Sequence, residues 1–62
     1  MADLFAGAPI STADKLGCAR RELAMRRRVY PRWVELRKMT KEAADREIAI
    51  MAEIVADYEK RA

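Results

Sequence analysis

Cys18 is the only cysteine in this chain of 62 residues, and there is no histidine. A chain this short buries only about 60% of the surface its unfolded form exposes. Below roughly 70–80 residues a single core seldom supplies more than a few kcal/mol, so small domains add disulfides, a metal or a second subunit. One thiol cannot close an intrachain disulfide, and one thiol without imidazole cannot complete a structural zinc site. Self-association, or folding against a partner, is the device that remains.

The local pattern is helical. Ser11 followed by Asp14 is an N-cap arrangement, in which the hydroxyl accepts from a free backbone N–H of the first turn. Helix-forming residues then dominate to about Lys38, with Gly17 weakening the early turns by about 1 kcal/mol relative to alanine. Pro31 is the larger disturbance. It removes the N–H that would bond the Arg27 carbonyl and biases Tyr30 away from helical angles. Residues 12–38 are therefore expected as a helix kinked or broken near 30–31. Met39-Thr40 is the expected turn, with Thr40 capping a second helix over residues 41–60. That stretch has no glycine or proline, carries Glu42 and Asp45 near its start and Lys60 and Arg61 at its end, and so suits the helix macrodipole. Glu42 and Arg46 are a supporting pair at spacing four. A short link between two long helices implies an antiparallel hairpin. Residues 1–10, punctuated by Gly7 and Pro9, read as a flexible arm: a disordered terminus is the favoured reading, and docking of Leu4, Phe5 and Ile10 across a neighbouring helix or a partner is the other.

Ala44, Ile48, Met51, Val55 and Tyr58 recur at the helical period and form the seam of the second helix. Ile50 and Ile54 lie outside it; at 100° per residue Ile50 is about 160° from Ile48. The first helix also has two stripes. Leu16, Leu23, Tyr30 and Val34 make one, and Cys18, Met25, Val29 and Leu36 make the other. A lone hairpin buries one face per helix. The excess points to a homodimer forming a four-helix bundle, with Met25, Val29, Ile50 and Ile54 as the contact, or else to the N-terminal arm or a third short helix covering the second stripe. Cys18 is expected as a small buried hydrophobe.

Charge is concentrated in one place. Residues 15–38 hold nine basic and two acidic side chains, a local charge of +7 in a chain of net +3. Arg20, Arg21, Arg26, Arg27, Arg28, Arg32 and Arg37 form this cluster, and Tyr30 and Trp33 flank it, with Arg37 within cation–π reach of Trp33. Rows of arginine can grip carboxylates on an acidic protein or track phosphates. Three readings stay open: a protein partner, a nucleic acid, or arginines that only pair with Glu47, Glu53 and Glu59 of the second helix inside an assembly subunit. A nucleic acid is the less favoured binding partner, because no helix-turn-helix, zinc-finger or RNA-binding signature accompanies the arginines.

Catalysis is not expected. General acid–base work usually falls to histidine, the acidic residues of the second helix mark a solvated face, and no phosphate loop or nucleophile motif occurs. No metal or cofactor is implied. No apolar run approaches the roughly 20 residues a membrane span needs. The first ten residues carry Asp3 and no basic side chain, so they do not read as a secretory signal. A reducing cytoplasm is the expected location.

The run from Cys18 to Arg26, then Val29-Tyr30-Pro31-Arg32-Trp33-Val34, Lys38-Met39 and Ala44 to Met51, resembles small orphan accessory proteins of tailed phages and prophages of proteobacteria. The likeness covers residues 18–58, and its most distinctive part is the Val29–Val34 element. It implies a phage or prophage setting, with the host-cell cytoplasm as location; small accessory proteins of that kind commonly act by binding a host or defence protein or by modulating DNA replication and recombination. In that pattern a glycine often precedes the basic–Met pair. Arg37 stands there in this chain, and its turn is expected to close differently.

Overall fold

The structure is a computed structural model and describes residues 9–61. It is an antiparallel pair of helices, α1 (Thr12–Glu35) and α2 (Lys41–Arg61), packed along their length. The shortest dimension of the molecule is 13 Å, about the diameter of one helix with its side chains. The hairpin is thus a single layer with both broad faces open.

Both starts are capped as the sequence predicts. The Ser11 hydroxyl accepts from the Asp14 amide at 3.0 Å, and the Asp14 carboxylate accepts from the Ser11 amide at 3.0 Å. This is a reciprocal capping box with aspartate in the usual glutamate place. The Thr40 hydroxyl accepts from the Ala43 amide at 3.1 Å, and the Ala44 amide donates to the Thr40 carbonyl at 3.0 Å. The supporting pair on the first turns of α2 is Lys41–Asp45 at 2.7 Å, in place of Glu42–Arg46.

Of the two outcomes expected at Pro31 the break does not occur, and the end of the first helix departs from expectation. The first helix is not broken at 30–31: α1 runs on through Pro31 to Glu35. It also ends three residues before Lys38, so the connection spans residues 36–40 and is not confined to 39–40. The cause lies in the backbone. Arg37 takes φ 60°, its amide donates to the Val34 carbonyl at 3.0 Å, and the Lys38 amide donates to the Trp33 carbonyl at 2.8 Å. This pair of bonds is a Schellman closure, which calls for a left-handed residue just past the helix end. The turn therefore closes in the way a glycine would close it, with arginine in the glycine position.

The core is small. Leu16, Ala19 and Leu23 of α1 meet Met51 and Val55 of α2; Ile48, Ala52 and Tyr58 pack against them, and Ala44 is buried nearer the turn. The predicted α2 seam is the observed one. On α1, Ala19 takes the buried place expected of Cys18, which is exposed. At 100° per residue Cys18 stands about 160° from Leu16, which turns it away from α2. Ile50 and Ile54 are 39% and 36% exposed and Leu36 is exposed, so the second apolar stripe is left open. Ile10 is exposed; Leu4 and Phe5 lie outside the described residues.

Candidate interaction surface

The arginines of α1 fall into two groups according to what α2 offers them. Arg20 reaches Glu59 across the hairpin at 2.8 Å. Arg26 donates from Nε to Glu22 at 2.9 Å and from Nη1 to the main-chain carbonyl of Glu47 at 2.8 Å, with the Glu47 carboxylate 3.7 Å away. Around the α1 axis Arg20 lies about 40° to one side of Leu16 and Arg26 about 80° to the other. The two cross-helix contacts therefore clasp the hairpin from opposite sides. Arg26 is the better enclosed, its side chain 19% exposed. The Glu22 hydrogen bond holds its guanidinium above the ordinary arginine pKa.

Arg21, Arg27, Arg28, Arg32 and Arg37 are exposed and form no ion pair among the described residues. Arg21, Arg28 and Arg32 stand about 120–160° from Leu16, within an arc of about 40°, on the ridge turned away from α2. The ridge runs about 16 Å along the helix, at 1.5 Å per residue. Arg27 sits closer to the seam and Arg37 in the turn.

Tyr30 and Trp33 do not join this ridge. Their rings stack at 5.5 Å between centroids, inclined by 24°. The guanidinium of Arg26 lies 5.8 Å from the Tyr30 centroid. The cation–π contact is therefore Arg26 on Tyr30, in place of Arg37 on Trp33. Tyr30 is half-buried, and Trp33, 39% exposed, covers its outer side. Trp33 is about 100° from Arg32 and 140° from Arg28 around the helix. Of the nine residues singled out in the sequence, seven are thus divided over a cross-helix clasp, an arginine ridge and an aromatic stack on another flank, and Arg27 and Arg37 stand apart from all three.

The flank that carries Arg26 is also the flank of Ile50 and Ile54, because Glu47, which Arg26 grips, lies about 60° from Ile50 and 20° from Ile54 around α2. Val29 and Met25, both half-buried, follow on α1 at about 60° and 100° beyond Arg26. Val29 therefore shares the Ile50–Ile54 side of the hairpin, whereas Met25, about 180° from Leu16 and 20° from Arg32, lies with the arginine ridge, so the four residues expected at a dimer contact are not all brought together.

Two features were not foreseen. An open depression of about 230 Å³ beside the turn is lined by Pro31, Val34, Ala44 and Ile48, with Lys41 and Asp45 at its rim. The Asp45 hydrogen bond raises the Lys41 pKa. Arg46 and Asp57 are exposed and make no ion pair among the described residues. Their signal in the sequence is that they bracket Ile50 and Ile54 at nearly equal spacing.

No charged or polar side chain is buried among the described residues, and none of their acidic or thiol groups cluster to hold a metal ion. No helix among them is long and apolar enough to cross a membrane. The chemistry on offer is that of a solvated surface with patterned charge. Comparison with known proteins found no matching family model, no matching curated protein and no matching solved structure.

Proposed function

We propose that this chain is a small non-catalytic binding protein that docks an acidic protein surface through the ridge Arg21, Arg28 and Arg32, assisted by Arg27 and Arg37. The observation that carries this reading is the division of the arginines. Arg20 and Arg26 meet acidic partners in the fold, whereas the ridge arginines meet none among the described residues. Arginines that served only to pair with α2 would not be turned away from it.

A protein partner suits the geometry better than a nucleic acid. The ridge offers three guanidinium groups over about 16 Å, and each phosphate contact adds only about 0.7–0.9 to the salt slope. The other helix carries six acidic against four basic side chains over residues 41–61 and would repel a polyanion that wrapped further. A compact acidic patch needs no more than the ridge, and arginine's planar fork matches carboxylates two bonds at a time. The phage setting, with a host or phage protein as partner in the host cytoplasm, rests on the resemblance of residues 18–58.

The experiment pairs two assays on wild type and on the triple variant Arg21→Glu/Arg28→Glu/Arg32→Glu. A pull-down from a proteobacterial lysate is expected to retain an acidic protein with wild type and lose it with the triple variant, while Arg20→Ala retains it. A mobility shift with mixed-sequence DNA and RNA at about 50 and 200 mM salt is expected to show no binding. A shift that collapses with salt would replace the protein partner by phosphates on the same ridge.

A further inference from the structure

We infer that the flank bearing Ile50 and Ile54 is a self-recognition surface, on which a second copy of this chain packs α2 antiparallel to α2 about a twofold axis level with Met51 and Ala52. This stands apart from the arginine ridge, which lies on the far side of α1.

The apolar half of the argument is exposure. Ile50 and Ile54 are one helical turn apart, 39% and 36% exposed. Val29, half-buried, widens the patch on the same side. An open depression of about 300 Å³ bounded by Ile54, Asp57, Tyr58 and Arg61 lies immediately beside them. It gives the partner's Ile50 a place to seat. The core of one hairpin holds six buried residues among those described, two of them alanine, and no large side chain is fully enclosed. Stacking a second layer is how helical pairs of this size complete a core.

The occupant is named by charge. Arg46, Ile50, Ile54 and Asp57 fall within an arc of about 80° on α2. An antiparallel twofold that sets Ile50 against the partner's Ile54 also sets Arg46 against the partner's Asp57, and does so twice. Both charges are free to serve. The expected Glu42–Arg46 pair is not formed. Arg61, one turn beyond Asp57, turns over the Tyr58 ring at 5.3 Å. A partner of unrelated sequence has no reason to meet an arginine and an aspartate placed symmetrically about two isoleucines. A second copy meets them by construction, since a twofold contact is self-complementary.

The test is sedimentation equilibrium of the full chain, with circular dichroism on every variant to confirm the helices. Wild type is expected at twice the monomer mass. Arg46→Asp and Asp57→Arg each place like charges opposite one another, and each is expected to raise the dimer dissociation constant about tenfold or more, while the combined Arg46→Asp/Asp57→Arg variant restores it. Both charged positions are exposed, so the three variants keep their helices, and Ile50→Asp is expected to give a helical monomer or an unfolded chain. A monomeric wild type at about 100 μM, well above the Kd range of a stable dimer, overturns the inference and leaves the flank to a different partner. A dimer that the two single charge changes leave intact, or that the double change fails to restore, overturns it as well.

Discussion

The Arg26 guanidinium donates to the main-chain carbonyl of Glu47 at 2.8 Å, which ties the middle of α1 to the second turn of α2 through an acceptor no side-chain substitution can remove. The same group holds Glu22 at 2.9 Å and faces the Tyr30 ring. Arg26→Ala is therefore expected to cost about 1–2 kcal/mol, the scale of one charge-assisted hydrogen bond with its packing. Arg20→Ala removes a pair whose side chains are 56% and 48% exposed and is expected to cost under about 0.5 kcal/mol. Urea unfolding followed at 222 nm compares the two. Equal losses would show that Arg26 is no more than another surface pair. Arg26→Lys keeps the charge without the fork and should fall near the alanine variant.

Arg37 sits at φ 60°, a conformation that costs a side-chain-bearing residue roughly 1–2 kcal/mol and glycine almost nothing. Arg37→Gly is expected to stabilise the hairpin by about 0.5–1 kcal/mol, since the greater freedom of glycine in the unfolded chain takes back part of the gain. In a domain this size that is a rise of a few degrees in Tm. Arg37→Ala keeps the strain and should leave Tm within about a degree. If glycine and alanine behave alike, the left-handed turn carries no strain.

The capping box gives a pH dependence with a definite sign. The Ser11 main-chain N–H, and then its hydroxyl, hold the Asp14 carboxyl below its ordinary value of 3.8. A group whose folded pKa is depressed adds stability above its unfolded pKa, and that stability is lost as pH falls through the folded value. Amide protection in the first turn of α1, taken against the intrinsic exchange rate at each pH, is expected to fall as pH drops through the Asp14 titration, ahead of protection in the middle of α2. Asp14→Asn should remove that step in pH. A first turn whose protection falls in parallel with α2 would mean the box does not hold the helix start.

Which parts of this molecule the sequence discloses follows from the range of each interaction. Ser11, Asp14 and Thr40 act on amides three residues away, and the 3.6-residue repeat from Ala44 to Tyr58 depends only on helix geometry, so both could be read directly. The end of α1 could not, because its signal is normally glycine and here an arginine takes the left-handed place. Cys18 is exposed although its residue type favours burial, because its angle from Leu16 and Leu23 turns it outward. The separation of Arg20 and Arg26 from the other arginines depends on which acidic groups α2 brings within reach, a relation between residues 21 and 39 positions apart. Tyr30 and Trp33 stack on each other, and their separation from the ridge, like that of Cys18 from the seam, follows from helix angle alone.

Pro31 offers a sharper test of what local rules decide. It stands inside α1, four residues before the helix ends at Glu35, where the Arg27 carbonyl has no N–H to accept from and the ring crowds it. Interior proline costs about 3 kcal/mol relative to alanine in a helix. Two effects oppose the gain from replacing it. Proline restricts the unfolded chain, worth roughly 0.4–1 kcal/mol, and its ring helps line the depression with Val34, Ala44 and Ile48. Pro31 is exposed, so that packing is partial and the helix penalty should dominate. Pro31→Ala is expected to stabilise the hairpin by about 1–2 kcal/mol and to deepen the 222 nm signal, with Tm rising by several degrees. A loss of stability would place the weight on the ring's contacts with α2 and make the depression beside the turn part of the core.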